Sequence, residues 1–282
     1  MRILVRTSTW AIWARRLGSF ALPLAIIPVL LHRSGAVPTS TFEVIEIVAI
    51  GVALLALFAS IGAFVRIWST GDRGWGRAFV GLICSLACLA PLGLLAADYI
   101  AYPMASEVST DTANPPPLVL APQPAAPVPG QAREVASVFP NVKTRNYPLS
   151  PRRVFTIVDA LVADRGWEVL RRQEPDANGD TGQLNAIALT LFGFRDEVSI
   201  RLVGGPDGTD VAMRSVSLTP LHEPGVNATR IEGFLAALDD KITELRKDRP
   251  AGAADSDSED DSAAPVPMPM PMPAPAPRAR KR

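Results

Sequence analysis

The 282 residues divide their charge evenly, 28 Lys and Arg against 28 Asp and Glu, and 48% of them are apolar. That balance argues against a nucleic-acid binder, which would show a basic face, and two cysteines are too few for a disulfide-stapled scaffold or a four-thiolate zinc site. The average conceals segregation: residues 1–102 carry eight Arg against four acids, residues 141–248 carry 14 basic and 16 acidic groups, and four compositional regions follow one another.

The first region, 1–102, holds three apolar runs. Ile47 to Val65 and Ala78 to Ala97 contain no charge over 19 and 20 residues, each enough to cross a hydrocarbon core of ~30 Å as a helix. Leu17 to Leu31 is shorter and contains Pro23 and Pro28, so it reads as a kinked span or as the apolar core of a signal peptide. Three transmembrane helices are expected, over about 17–31, 45–66 and 78–99. Arg2, Arg6, Arg15 and Arg16 precede the first run, Arg33 alone follows it, and Arg66, Arg73 and Arg77 separate the second from the third. Basic loops stay in the cytoplasm, which predicts a cytoplasmic N-terminus and an extracytoplasmic chain after Ala97. Cys84 and Cys88 are four apart, on one helical face, and are expected to pack rather than to bind metal. No ionisable residue lies in mid-span, which argues against a transporter or channel built from these helices alone.

Residues 103–140 contain nine prolines among Ala, Val, Ser and Thr, a composition that favours extended polyproline II and predicts a spacer. The tail, 249–282, is acidic from Asp255 to Asp261, places proline at every second position from Pro265 to Pro277, and ends Arg278, Arg280, Lys281, Arg282. It reads as a solvated disordered segment, and Met268, Met270 and Met272 have no His or Cys nearby that would complete a copper site.

Residues 141–248 are the expected globular unit outside the membrane. Ser150-Pro151 is a helix start, with Ser150 as the cap, and Val154, Phe155, Val158, Leu161 and Val162 recur at helical spacing up to Gly166. Strand-like segments follow: Trp167 to Arg172; Gln183 to Phe192; Val198 to Leu202 after a turn over Phe194 to Glu197; and Asp210 to Leu218 after the GGPDG turn. A last helix beginning near Asn227, taken as its cap, carries Ile231, Phe234, Leu235, Leu238, Ile242 and Leu245. These elements predict an α+β fold: an antiparallel meander of about four strands with two amphipathic helices on one face. The other sheet face is left open between water, the linker and a partner.

The runs LFGFRDEVSIRL (Leu191 to Leu202), DVAMRSVS (Asp210 to Ser217) and GVNATRIEGFLAAL (Gly225 to Leu238) resemble the core of domain-of-unknown-function family 1499. RIWSTGDRGWGRA (Arg66 to Ala78) also resembles the loop of that family's membrane-bound subset. The resemblance implies the α+β fold in a bacterial, membrane-anchored setting, and it implies no activity. Where relatives usually read Ser-Arg-x-Gly-x-Ser-Asp-x-Gly, this chain has Ser217-Leu218-Thr219-Pro220-Leu221-His222-Glu223-Pro224-Gly225.

The polar residues singled out as a candidate cluster are Arg195, Asp196, Glu197, Arg214, Ser215, His222, Glu223 and Asn227. His222 beside Glu223 has the residue types of a general base with its orienter, but no second histidine lies in the domain, and there is no nucleophile elbow, His-Glu-x-x-His or phosphate loop. Arg214 and Ser215 are expected to tie the last strand to the Asp196-Glu197 hairpin. No catalytic, metal or cofactor residue is assigned. The leading expectation is a non-catalytic envelope interaction module, with the lipid bilayer and an envelope protein or lipid as partners and no nucleic acid. A lipid or apolar ligand between sheet and helices is the alternative, which requires a cavity, and an extracytoplasmic enzyme is the second alternative.

Overall fold

A computed structural model describes residues 6–120, 131–175, 180–220 and 223–247. The expectations for His222 and the C-terminal tail lie outside the described residues, as do parts of those for the linker (121–130) and the turn before Gln183 (176–179).

Three helices, α1 (Thr9–Arg33), α2 (Thr39–Thr70) and α3 (Trp75–Ala101), are long and apolar enough to cross a membrane, which marks the chain as a membrane protein. α1 runs unbroken through Pro23 and Pro28. The helices meet along small residues: Ala14 and Gly18 on α1, Ala53 and Ala56 on α2, Gly81 and Ser85 on α3 are buried. Small residues let backbones approach where lipid offers no hydrophobic drive to association. A β-carbon at Gly81 would stand 2.5 Å from the Ala14 carbonyl carbon. The large apolar side chains, among them Phe20, Leu55, Phe58 and Leu94, point outward. Cys88 is buried, with its Sγ directed at the Ala21 carbonyl, in keeping with a packing role. At one end of the bundle Ser8 N–H donates to Arg73 O and Arg73 N–H to Arg6 O, both at 3.0 Å. That end gathers Arg6, Arg66, Arg73 and Arg77.

The following domain contains β1 (Glu107–Ser109), α4 (Gln131–Val138), β2 (Arg145–Tyr147), α5 (Pro151–Asp164), β3 (Glu168–Gln173), β4 (Thr181–Leu189), β5 (Arg195–Gly205), β6 (Gly208–Ser217) and α6 (Val226–Lys247). The sheet is antiparallel throughout, ordered β3-β4-β5-β6, with β1 and β2 both paired to β6 at different stretches. Period-two alternation sends Leu184, Ala186 and Ala188 of β4, Val198, Ile200 and Leu202 of β5, and Val211 and Met213 of β6 to one face. There they pack against Val154, Val158 and Val162 of α5 and Ile231, Phe234, Leu235 and Leu238 of α6, all fully buried. Gly208 makes the β5–β6 turn possible: its φ is +123°, and a β-carbon there would collide with the Tyr147 carbonyl of β2.

The sheet has six strands where about four were expected. The two additional strands come from stretches read as spacer or coil. Residues 103–140 were expected to be a spacer, but β1 and α4 lie within them, and Ala105, Val108, Val135 and Phe139 join the core. The prolines cluster at 115–117 and 122–129, so the flanking residues retain strand and helix capacity that the regional composition hides. The β4–β5 turn also falls earlier than expected: Gly193 N–H bonds Thr190 O, and β5 begins at Arg195. Ser150 precedes α5 as expected, but its side chain makes no cap hydrogen bond; Pro151 at the first position already supplies the helical φ.

Candidate functional site

The residues singled out in sequence fall on opposite faces of the sheet, because neighbours along a strand alternate. Asp196 and Ser215 face the helices; Glu197 and Arg214 face away.

On the helix side, Arg230 of α6 is the hub. Its Nη2 donates to Asp196 Oδ2 at 2.6 Å, and its Nη1 donates to Ser215 Oγ at 2.8 Å and Asn227 Oδ1 at 2.9 Å. Side-chain exposure is 9% for Arg230 and 2% for Asp196, so this is a buried, fully bridged ion pair. Asn227 was expected to cap the last helix. It is instead the second residue of α6, and its Nδ2 donates to Ser106 O at 3.1 Å and Ser217 Oγ at 3.0 Å. It thus joins the helix to β6 and to the segment entering β1. Arg230 was missed in sequence; the signal was its i+3 spacing from Asn227, which puts both on one helical face.

On the outer face, residues 110–120 form a strap across the strands. Glu197, 0% exposed, accepts the N–H groups of Val119 on Oε1 at 2.5 Å and Leu120 on Oε2 at 2.8 Å. The Pro117 carbonyl accepts from Ser199 Oγ at 2.7 Å, Asn185 Nδ2 at 2.9 Å and Gln183 Nε2 at 3.1 Å. The Pro116 carbonyl accepts from Arg214 Nη1 at 3.1 Å, and Arg214 Nη2 lies 2.7 Å from Glu107 Oε1. Arg214 and Ser215 were expected to bind the Asp196-Glu197 hairpin together. That reading is corrected for Arg214, which holds β1 and the strap, whereas Asp196 and Ser215 both bond Arg230. Arg195 stands apart, exposed, with its Nη2 3.3 Å from Glu168.

A third feature joins the domain to the helical bundle. Arg33 Nη1, at the end of α1, donates to Thr190 O at 2.9 Å and Leu191 O at 2.8 Å in the β4–β5 turn. His32 stacks on Phe42 with centroids 4.6 Å apart, and Phe194 meets both rings edge-on at 5.6 and 5.9 Å. Beside this clamp a cleft of about 480 Å³ opens between the end of α3 and the start of α6, lined by Asp98, Tyr102, Leu189, Leu191, Glu223 and Arg230 among others. Burial raises the Glu223 carboxyl above its ordinary range, and the charge of Asp196 adds to the rise, against hydrogen bonds from Thr190 and the Phe192 backbone. Among the described residues its Oε1 is buried without a hydrogen-bond partner.

Of the eight residues, Asp196, Ser215, Glu223 and Asn227 therefore gather near Arg230, while Arg195, Glu197 and Arg214 do not join them. Among the described residues no group of three His, Cys, Asp or Glu side chains is placed to hold a metal ion. Residues 107–238 match the family described as protein of unknown function (DUF1499); the match spans the strap, both polar clusters and most of α6. No curated protein and no solved structure matches the chain.

Proposed function

We propose that this member of the DUF1499 family is a non-catalytic interaction module of the bacterial envelope, holding its α+β domain against the outer surface of the cytoplasmic membrane. The observation that carries the reading is the clamp: Arg33, His32 and Phe42 at the α1–α2 end of the bundle grip the β4–β5 turn. A domain gripped by two polar contacts and three rings is presented at a fixed height rather than swung on a tether. The orientation rests on charge: Arg6, Arg66, Arg73 and Arg77 belong to the end remote from the clamp, and Arg33 alone to the domain end. The spread of the polar residues over two sheet faces supports structural and binding roles for them rather than a common reaction centre.

A second reading, binding of an amphiphile, is favoured by the cleft. The space between sheet and helices is filled by Phe234, Leu184, Ile200 and Leu202, so an apolar ligand has its place at the membrane-facing cleft instead. Leu189 and Leu191 there are exposed, Leu191 by 72%, beside the polar Glu223 and Thr190. Such a lining suits a molecule with an apolar body and a polar end.

A photoreactive residue at Leu191 in the full-length protein, combined with native mass spectrometry from its own membrane, tests both. Specific crosslinks to a protein support the module, and a retained mass of several hundred daltons supports the amphiphile. A bare chain without specific crosslinks contradicts both.

A further inference from the structure

The cleft between α3 and α6 lies at the depth of a lipid head group. The uncharged run of α3 ends at Ala97, and the next residue, Asp98, is on the cleft wall; hydrocarbon gives way to the head-group layer at such a boundary. The facing wall, the β4–β5 turn, is tied to the end of α1 by the Arg33 bonds to Thr190 O and Leu191 O. The space is preformed as well. Gly225 has φ +75°, and a β-carbon there would stand 2.8 Å from Tyr102 Cγ, so glycine lets the start of α6 close on Tyr102, which stacks in turn on Phe139 of the core. The volume of about 480 Å³ is that of a small-molecule site, roughly 300–1,000 Å³.

Charge selects the head group. Asp98 and Glu223 bring two carboxyls to the lining against one cation, Arg230, and that cation is already matched by Asp196. An anionic head group would meet this surplus as a like charge. The unmet Glu223 Oε1 calls for a donor, and the last torsion of a glutamate is soft enough to turn the carboxyl toward one. A primary ammonium brings three N–H donors, whereas a quaternary ammonium brings none. We infer that the cleft binds the primary ammonium head of an ethanolamine phospholipid, with the ammonium toward Glu223 and Asp98 and the first carbons of the chains against exposed Leu189 and Leu191. The inference rests on the amphiphile reading and names its head group.

The test is native mass spectrometry of the full-length protein in detergent micelles with an equimolar mixture of dioleoyl phosphatidylethanolamine, phosphatidylcholine and phosphatidylglycerol. The ethanolamine lipid should be retained roughly tenfold over each of the others, the ratio that one charge-assisted hydrogen bond supports. Glu223→Gln, which turns one acceptor oxygen into a donor, should bring that ratio close to one in a protein with a normal melting transition. Glycerophosphoethanolamine, the same head without acyl chains, should displace the lipid about a hundredfold less well, because it buries no apolar surface on the leucines. Retention of all three lipids alike, or a preference for phosphatidylglycerol, overturns the inference and leaves the amphiphile reading standing; retention of none overturns both. An unchanged preference in folded Glu223→Gln, or equal displacement by the chainless head group, also overturns the inference. Should Glu223→Gln fail to fold, a photoreactive ethanolamine lipid added to the unaltered protein decides: crosslinks in 189–191 or 223–230 are expected, and crosslinks confined to other residues overturn the inference.

Discussion

Replacing Arg230 by Ala removes the cation from Asp196 while leaving the carboxylate where it is, 2% exposed between β5 and α6. Three charge-assisted bonds are lost, to Asp196, Ser215 and Asn227. Breaking a buried ion pair from one side costs about 3–5 kcal/mol, because the remaining carboxylate stays buried once its cation is gone. Ser215 Oγ and Asn227 remain 2.7 Å apart and satisfy each other, so most of the loss falls on Asp196. The working figure is therefore about 4 kcal/mol, or about three decades in an opening equilibrium. Hydrogen exchange by mass spectrometry on the full chain in micelles reads this directly, as a rise of about a thousandfold in exchange of the β5 amides if they open with the whole domain. The paired control is Asp196→Leu with Arg230→Met, which removes both charges and should be much less destabilising than Arg230→Ala alone. A loss below about 1 kcal/mol for Arg230→Ala, or a double variant as unstable as the single, would refute the reasoning.

Arg214→Ala should destabilise by about 2–4 kcal/mol, since it strips the partner from Glu107 and a donor from Pro116 O; exchange should rise most over residues 105–120, and a change confined to α5 and α6 would contradict the assignment. Glu223 has a folded pKa raised above its ordinary 4.5 by burial. Its contribution is therefore fully present below pH 4.5 and is lost as pH rises through the elevated value. Glu223→Gln, neutral throughout, should remove that decline, so the variant gains on the parent as pH rises above 4.5; chemical denaturation across pH checks this, and a pH-independent difference contradicts it. Gly81→Ala should cost about 1–3 kcal/mol by forcing α1 from α3, whereas Gly93→Ala, with nothing within 4 Å, should not. Equal thermal stability of the two variants in micelles would refute the close contact.

The spans were legible because length and uninterrupted apolarity decide them locally, though α1 begins two turns before the expected bound, where Thr9 to Arg16 bring Ala11 and Ala14 into the packing. The α5 and α6 stripes and the meander were legible for the same reason: Val154 to Val162 and Val198 to Leu202 declare their period within one element. The polar cluster was only half legible. Asp196 with Glu197, and Arg214 with Ser215, were grouped because they adjoin in sequence, yet a strand turns neighbours to opposite faces, and their partners, Arg230, Glu107 and the strap, lie 15 to 107 residues away. Arg33 could not have been paired with the β4–β5 turn from sequence, because a backbone carbonyl has no side-chain signature. The strap was read as a spacer because proline richness reports extended backbone and says nothing of what receives its carbonyls.

The proposed function requires the domain to lie at the face of the membrane opposite the arginine-rich end. A membrane-impermeant thiol reagent tests this in intact spheroplasts, with Arg171→Cys on exposed β3 and Ser69→Cys at the exposed end of α2, against the background of Cys84 and Cys88 within α3. The account predicts labelling of Arg171→Cys in intact cells and of Ser69→Cys only after permeabilisation. The reverse pattern, or labelling of both from outside, would contradict it.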